Sequence, residues 1–243
     1  AFTGPLLAIG LMWLTAGHFQ AVFWIAVIPA FLAAAVLLVF VHEPKQPTAA
    51  QPCAPLSRAA LARLDAGYWW VVGVGVVFTL ARFSEAFLIL RAGEAGLSPI
   101  SAPLVLVLMG IAFSLSAYPA GALSDRVSRV IVLVVGIGVL IAADLVLAFV
   151  PGLAGLAVGV VLWGLHMGCT QGVFAALVAE RAPAELRGTA FGVFHLLTGL
   201  ALLLASVIAG ALWDAWGYRG TFLCGAVFAS LTLLGMTTLR QRS

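Results

Sequence analysis

A small set of polar side chains lies inside the long apolar stretches of this chain, where such groups are unusual. Of 243 residues, 63% are hydrophobic and only 9% are charged. If those stretches cross a membrane, each ionisable side chain within them costs about 2.5–3.5 kcal/mol to insert, so it is a candidate for binding a solute or a proton. The candidates are Arg82, Glu85, Trp163, His166, Thr170, Gln171 and His195.

Arg82 and Glu85 are three residues apart, which places them on one face of a helix and lets them pair. We expect Glu85 to stay ionised while the pair is closed and to take up a proton when Arg82 is drawn to a solute. Glu85 is therefore the first candidate for energy coupling, and a static pair that neutralises both charges is the alternative. His166 is the reserve candidate because histidine exchanges protons near neutral pH, although a hydrogen bond to a neighbouring helix is equally open to it.

Trp163, His166, Thr170 and Phe174 follow the spacing i, i+3, i+7 and i+11, which gathers them on one helix face. Such a wall combines aromatic rings with few fixed charges and suits an amphiphilic or apolar organic solute. Asp144 lies six residues from the end of its apolar stretch, and we expect it to reach interfacial water.

The elements that carry these residues are apolar stretches of about the length that a helix needs to cross a bilayer, roughly 20 residues. They span 1–16, 22–41, 68–90, 102–122, 130–150, 153–178, 189–211 and 219–239. The runs are continuous instead of alternating, which indicates helices and not barrel strands. The sequence thus predicts an all-α, polytopic membrane protein of about eight transmembrane helices.

Composition also excludes several classes of protein. A charged fraction this low is not that of a cytosolic enzyme or a disordered chain, and a net charge of +3 without a basic stripe does not fit nucleic-acid binding. Cys53, Cys169 and Cys224 lie far apart, so neither a disulfide framework nor a metal site is expected, and no cofactor is implied.

Lysine and arginine set the expected orientation, because they are retained in cytoplasmic loops. If both chain ends lie in the cytoplasm, Arg91 and Arg219 lie on the outer side of the membrane. The basic residues left inside are Lys45, Arg58, Arg63, Arg126, Arg129, Arg181, Arg187, Arg240 and Arg242. We expect a multi-pass protein of the plasma (inner) membrane, and since the chain opens on Ala1 we expect it to lack its natural N-terminus.

A proline-containing segment, 42–67, separates two stretches from the following six. It includes a short basic run, 56–64, which suits either an amphipathic turn on the membrane surface or a solvated linker. Either alternative makes 42–67 a cytoplasmic boundary.

Two hairpins resemble sequences of the major facilitator superfamily. Residues 121–130, GALSDRVSRV, resemble the G-x-x-x-D-R-x-G-R-R loop motif in its C-terminal copy, with Ser128 and Val130 as departures. Residues 180–192 resemble the link between helices ten and eleven, and 41–44 resemble the close of helix six. The resemblance implies that 1–41 are the last two helices of an N-terminal half, 42–67 the central linker and 68–243 the C-terminal six-helix half.

The same resemblance implies a secondary transporter that moves a small organic solute by alternating access. Its expected partners are that solute, the lipid bilayer and the missing N-terminal helices of the same protein, and its expected energy source is a proton gradient. Gly4 and Pro5 resemble part of an antiporter motif of the family, which favours efflux over uptake. An intramembrane enzyme and a channel are the alternatives, although no G-x-S-x-G, H-E-x-x-H or filter motif is present.

The first hairpin is also a candidate conformational latch. We expect Asp125 to accept hydrogen bonds from a helix N-terminus, and Arg126 and Arg129 to pair with Glu180 in one state only. Anchoring of the topology by these arginines is the alternative. The latch candidates are Gly121, Asp125, Arg126, Arg129, Glu180 and Arg187.

Overall fold

The computed structural model describes residues 3–15, 18–40 and 58–240, and this part of the chain is helical. No strand occurs among these residues, so the predicted all-α fold is confirmed. Much of the predicted linker 42–67 lies outside the described residues, as do Ala1, Phe2 and 241–243.

Nine helices are assigned within the described ranges. They are α1 (Thr3–Leu14), α2 (Phe19–Phe40), α3 (Arg58–Ala62), α4 (Ala66–Ala81), α5 (Ala86–Glu94), α6 (Leu104–Arg126), α7 (Arg129–Phe149), α8 (Gly152–Arg181) and α9 (Arg187–Arg240). Six helical stretches of the described residues are long and apolar enough to cross a membrane, and two of them, 66–94 and 184–236, contain an interruption. The predicted first span is shorter than expected, because α1 has only 12 residues.

The predicted third span, 68–90, is broken in the middle. Helix α4 ends at Ala81, α5 begins at Ala86, and the four residues between them are not helical. The Arg82 N–H donates to the Thr79 carbonyl at 3.0 Å, and the Ser84 N–H donates to the Ser206 hydroxyl at 3.3 Å. A break at membrane depth is tolerated where protein groups satisfy the freed backbone, and Ser206 of α9 supplies one such partner.

The last two predicted spans form one helical stretch that folds back on itself. Gly217 has φ +67° and ψ −169°, a combination that is essentially restricted to glycine. The Thr221 hydroxyl donates to the Ala209 carbonyl at 2.9 Å, whereas 12 residues of straight helix would separate them by about 18 Å. Helix α9 is therefore a hairpin of two limbs, 187–216 and 218–240, and its turn at Gly217 is much tighter than the loop 212–218 that the apolar pattern predicts.

The core of the bundle is centred on α8 and α9. Helix α8 packs against α6 and α7, and α9 packs against α4 and α7. A Cβ at Gly164 would collide with the Met109 carbonyl oxygen of α6, and one at Gly168 with the Ser116 hydroxyl. Both glycines thus serve the close helix approach that small residues permit in membranes.

Helices α1 and α2 have few such partners. Helix α1 contacts α6, whereas the side chains described on α2 are exposed or half-buried, including Phe31 and Phe40. An apolar surface of this kind fits lipid or further helices. The assignment of these two helices to an N-terminal half stays a prediction.

Candidate functional site

The break between α4 and α5 is surrounded by aromatic rings from several helices. The Phe83 ring lies in the break, 5.4 Å from the Trp163 ring of α8 and 5.5 Å from the Phe222 ring of α9. The imidazole of His166 lies 5.4 Å from the Trp163 ring. The four non-helical residues, 82–85, therefore lie where the α4–α5 stretch meets α8 and α9.

Three polar side chains at this junction have buried nitrogens without hydrogen-bond partners among the described residues. They are Arg82 at Nε, Trp163 at Nε1 and His166 at both ring nitrogens. The Phe78 ring links two of them, with the Arg82 guanidinium 5.9 Å and the His166 ring 6.4 Å from its centroid. Buried polar groups are normally paired, so this cluster marks a place where a solute, a proton or a second conformation supplies the partner.

The expected Arg82–Glu85 pair is not formed. Two ion pairs within 4.0 Å occur in the described part of the chain, and neither involves Arg82 or Glu85. The reason is the break: Arg82 is the C-terminal cap of α4 and Glu85 the N-terminal cap of α5, so they no longer share a continuous helix face. Glu85 is half-buried.

The predicted face of α8 is assembled but packed inside the bundle. Trp163, His166, Thr170 and Phe174 are all buried, and the Thr170 hydroxyl donates to the His166 carbonyl at 2.8 Å. The Phe174 ring stacks on Phe78 of α4 at 5.5 Å. This differs from the expected wall of an open cavity, because α4 and α9 cover the face.

An open groove of about 350 Å³ lies on another side of α8, between it and α6. Gly121 and Asp125 of α6 line it together with Gly168, Gln171 and Gly172 of α8. The structure thus brings Gln171, a cavity candidate, next to two of the latch candidates. The small residues on both walls leave the space open.

The two charged hairpins meet through one of the expected contacts. Arg129 Nη1 lies 2.6 Å from Glu180 Oε2. Arg126 and Arg187 are exposed and form no ion pair within the described ranges, and Asp125 is exposed and pairs with neither of them there. Asp125 does not cap a helix because α6 continues through Arg126, which leaves its carboxylate in the groove.

His195 departs from its expected place in a cavity. It lies on an exposed face of α9, with its ring 6.1 Å from Phe191 and 5.5 Å from Phe194.

Two polar contacts on the linker side escaped sequence reasoning. Arg63, just after α3, pairs with Glu185 at 3.1 Å, and these residues are 122 positions apart, so no local pattern could reveal the contact. Asp65 accepts a hydrogen bond from the Tyr68 N–H at 2.7 Å as the N-terminal cap of α4. That contact has a sequence signal, since aspartate is a preferred cap ahead of an apolar helix.

Arg91 was expected in an outer loop, and the structure buries it to 2% exposure. Its Nε donates to the Leu147 carbonyl at 3.2 Å and its Nη2 to the Val150 carbonyl at 3.3 Å. The guanidinium also lies 4.1 Å from the centroid of the Tyr218 ring. Arg91 therefore joins α5, the end of α7 and the turn of α9, as a cation suits the carbonyl end of a helix.

Asp144 of α7 is likewise enclosed, with 0% exposure. Its two carboxyl oxygens have no hydrogen-bond partner among the described residues. The expected contact with interfacial water is therefore wrong for this conformation, because α7 packs against α8 and α9. No group of three or more potential metal ligands occurs among the described residues.

Comparison with known proteins gives matches along almost the whole chain. A family model described as Major Facilitator Superfamily matches residues 1–201 and 71–242. An uncharacterised MFS-type transporter of Methanocaldococcus jannaschii is 33% identical over 165 residues, 65% of this chain and 41% of that protein.

Two relatives carry names that state a transported compound or a direction. A niacin transporter of Acinetobacter baylyi is 28% identical over 160 residues, 65% of this chain and 36% of that protein. The multidrug efflux pump Tap of Mycobacterium tuberculosis is 33% identical over 122 residues, 49% of this chain and 29% of the pump. The chain thus spans less than half the length of these curated relatives.

Proposed function

The chain belongs to the major facilitator superfamily, and from this premise we propose that it contributes the C-terminal half of a proton-coupled transporter. The transporter moves a small organic solute through a multi-pass membrane protein by alternating access. Members of the family are transporters and not enzymes, which disfavours the intramembrane enzyme considered from sequence.

The observation that carries this proposal is the broken span with its unpartnered polar groups. Discontinuous helices place binding groups near the bilayer midplane in many secondary transporters. Here the break exposes backbone groups beside Arg82, Trp163 and His166, and it is held by a hydrogen bond to Ser206 of a different helix. A site that depends on contacts between helices changes when those helices move.

Efflux is the proposed direction. It is supported by the antiporter-like Gly4 and Pro5 and by the name of the multidrug efflux pump among the relatives. The mixed aromatic and polar surroundings of the break suit an amphiphilic organic solute. We propose insertion in the plasma membrane with the basic hairpins in the cytoplasm. The arginines near α3, α6 and α8 support this orientation, because basic residues are retained in cytoplasmic loops.

The experiment reconstitutes the full-length protein that carries this chain into liposomes. Ethidium, an amphiphilic cation, and nicotinate, a small organic anion, serve as probes, each with and without an imposed proton gradient. We expect saturable flux of at least one probe that increases with the gradient. Flux that does not saturate would indicate a channel, and absence of any gradient-dependent flux of both probes would contradict the proposal.

A further inference from the structure

Asp144 is an unexplained ionisable group in this fold. It lies in α7 at 0% exposure, and neither carboxyl oxygen has a hydrogen-bond partner among the described residues. A charged carboxylate taken out of water without a partner is far less stable than the neutral acid. The acid form with its proton is therefore the form that fits this conformation.

Three elements close around this carboxyl group. Gly225, on the 218–240 limb of α9, lies so close that a Cβ there would be 2.6 Å from Asp144 Oδ2. The same position would be 3.0 Å from Phe83 Cε1 in the break and 3.2 Å from the Ala81 carbonyl oxygen. Glycine at 225 thus lets the limb seat directly over Asp144 and the end of α4.

The Ala81 carbonyl oxygen is the candidate acceptor for the O–H hydrogen bond of the acid form. Ala81 is the last residue of α4, so its carbonyl is among those that a helix end leaves without an intrahelical donor. It borders the same space as Asp144 Oδ2. A carboxylic acid donates one O–H hydrogen bond, which a carboxylate cannot do.

The titratable groups on the surrounding elements do not neutralise a charge at Asp144. Cys224 of α9 is near enough for electrostatic interaction. Arg82 and Arg91 belong to the α4–α5 side and His166 to α8, and none of them forms an ion pair with Asp144 within 4.0 Å. A bound proton is therefore what removes the charge of this buried carboxyl group.

We propose that Asp144 is a proton-binding site whose occupancy is linked to the seating of the 218–240 limb over the α4–α5 break. With the limb seated, Asp144 holds its proton; when the limb separates and water enters, the O–H bond breaks, the proton passes to water and the electron pair stays on the carboxylate. This inference rests on the proposed alternating access and adds a second proton site to Glu85, outside the groove between α6 and α8.

The first test measures protonation without transport. Infrared difference spectra between acidic and alkaline buffer are recorded on the full-length protein in liposomes, for the parent, Asp144→Asn and the matched control Asp214→Asn, whose aspartate is exposed. We expect a carboxylic-acid carbonyl band that is present in the parent and the control and reduced in Asp144→Asn. Identical spectra for all three proteins would overturn the proposal.

The second test needs no variant, and it decides whether Asp144 carries a proton inside the bilayer. The parent protein is treated with a hydrophobic carbodiimide, which reacts with protonated carboxyl groups, and the modified residues are mapped by mass spectrometry. We expect modification at Asp144 that increases toward acidic pH. Absence of modification at Asp144 at every pH would contradict a protonated Asp144.

The third test links the proton to transport. For a probe that the parent moves, Asp144→Asn should lower gradient-driven accumulation at least tenfold while probe exchange without a gradient continues. Driven accumulation equal to that of the parent would remove Asp144 from coupling. If the parent moves neither ethidium nor nicotinate, the proposed function fails for these probes, whereas the infrared and labelling results still decide whether Asp144 binds a proton.

Discussion

Single side chains connect several elements of this bundle, and Arg91 connects three of them. Its guanidinium donates to two carbonyls at the end of α7 and stacks on Tyr218 beside the turn of α9. Hydrogen bonds from a charged group contribute about 1.5–3 kcal/mol each, more than those between neutral groups.

Replacing Arg91 by alanine should therefore lower the stability of the protein by about 3 kcal/mol. The measurement is the midpoint of thermal unfolding in detergent, followed by fluorescence-detected gel filtration. Arg219→Ala is the matched control, because this arginine is exposed and lies 6.0 Å from the centroid of the same Tyr218 ring. Equal midpoints for the two variants would show that the Arg91 contacts are not stabilising.

Glu85 is half-buried and forms no ion pair with Arg82 within 4.0 Å in this conformation. We expect Glu85→Gln in the full-length transporter to abolish gradient-driven accumulation and to retain substrate exchange, because exchange needs no net proton movement. Glu94→Gln, at the exposed end of α5, is the control. Unchanged driven accumulation would remove Glu85 from the mechanism and transfer the role to His166.

Two interruptions shape the elements, the break between α4 and α5 and the turn within α9. Both are backbone features that lie among apolar residues. The first is held by a hydrogen bond from the Ser84 N–H to Ser206 in α9, and the second by one between the two limbs of α9, from the Thr221 hydroxyl to the Ala209 carbonyl. Their stability therefore depends on contacts between helices, and at Gly217 also on the local backbone conformation.

Gly217→Ala should destabilise the hairpin of α9, since its backbone lies in a region that costs a residue with a Cβ about 1–3 kcal/mol. The readout is again the thermal midpoint. Gly210→Ala is the control on the same hairpin, because a Cβ there meets nothing within 4 Å and alanine is a better helix former. A midpoint for Gly217→Ala at or above that of Gly210→Ala would contradict the assigned turn.

The hairpin between α6 and α7 is expected to act on rate and not on stability. Exposed ion pairs such as Arg129–Glu180 contribute only about 0–1 kcal/mol. We expect Asp125→Asn to slow flux in the full-length protein while its membrane abundance stays that of the parent. Equal rates at equal abundance would reduce this hairpin to a topology signal.

At the scale of the whole molecule, the described chain forms one bundle with two further helices that have few partners. A solute path in this family lies between two six-helix halves, as implied by the resemblance. The open groove between α6 and α8 and the exposed side chains of α2 are surfaces that further helices would cover.

The 243-residue chain alone should therefore not transport. We expect the purified chain in liposomes to give no saturable, gradient-driven flux of ethidium or nicotinate, under conditions in which the full-length protein does. Flux by the chain alone would contradict the need for a second half. It would also contradict the assignment of 1–41 to an N-terminal half and of 68–243 to a C-terminal half.

Apolar length was sufficient to predict most of the helices, since a span is a property of about 20 consecutive residues. The loop motif in 121–130 was sufficient to predict the family, and the spacing of Arg129 and Glu180 across neighbouring hairpins led to a contact that is present. These features are local or follow from chain order, so the sequence contains them directly.

The site was decided by tertiary packing. Hydropathy is continuous through 66–94 and carries no sign of the break, which depends on Ser206 in another helix. Counting from the end of a span placed Asp144 near water, but Gly225 and Phe83 enclose it, and α4 and α9 cover the polar face of α8. Burial is a property of what packs against a residue, and those partners lie too far along the chain for any local pattern to indicate them.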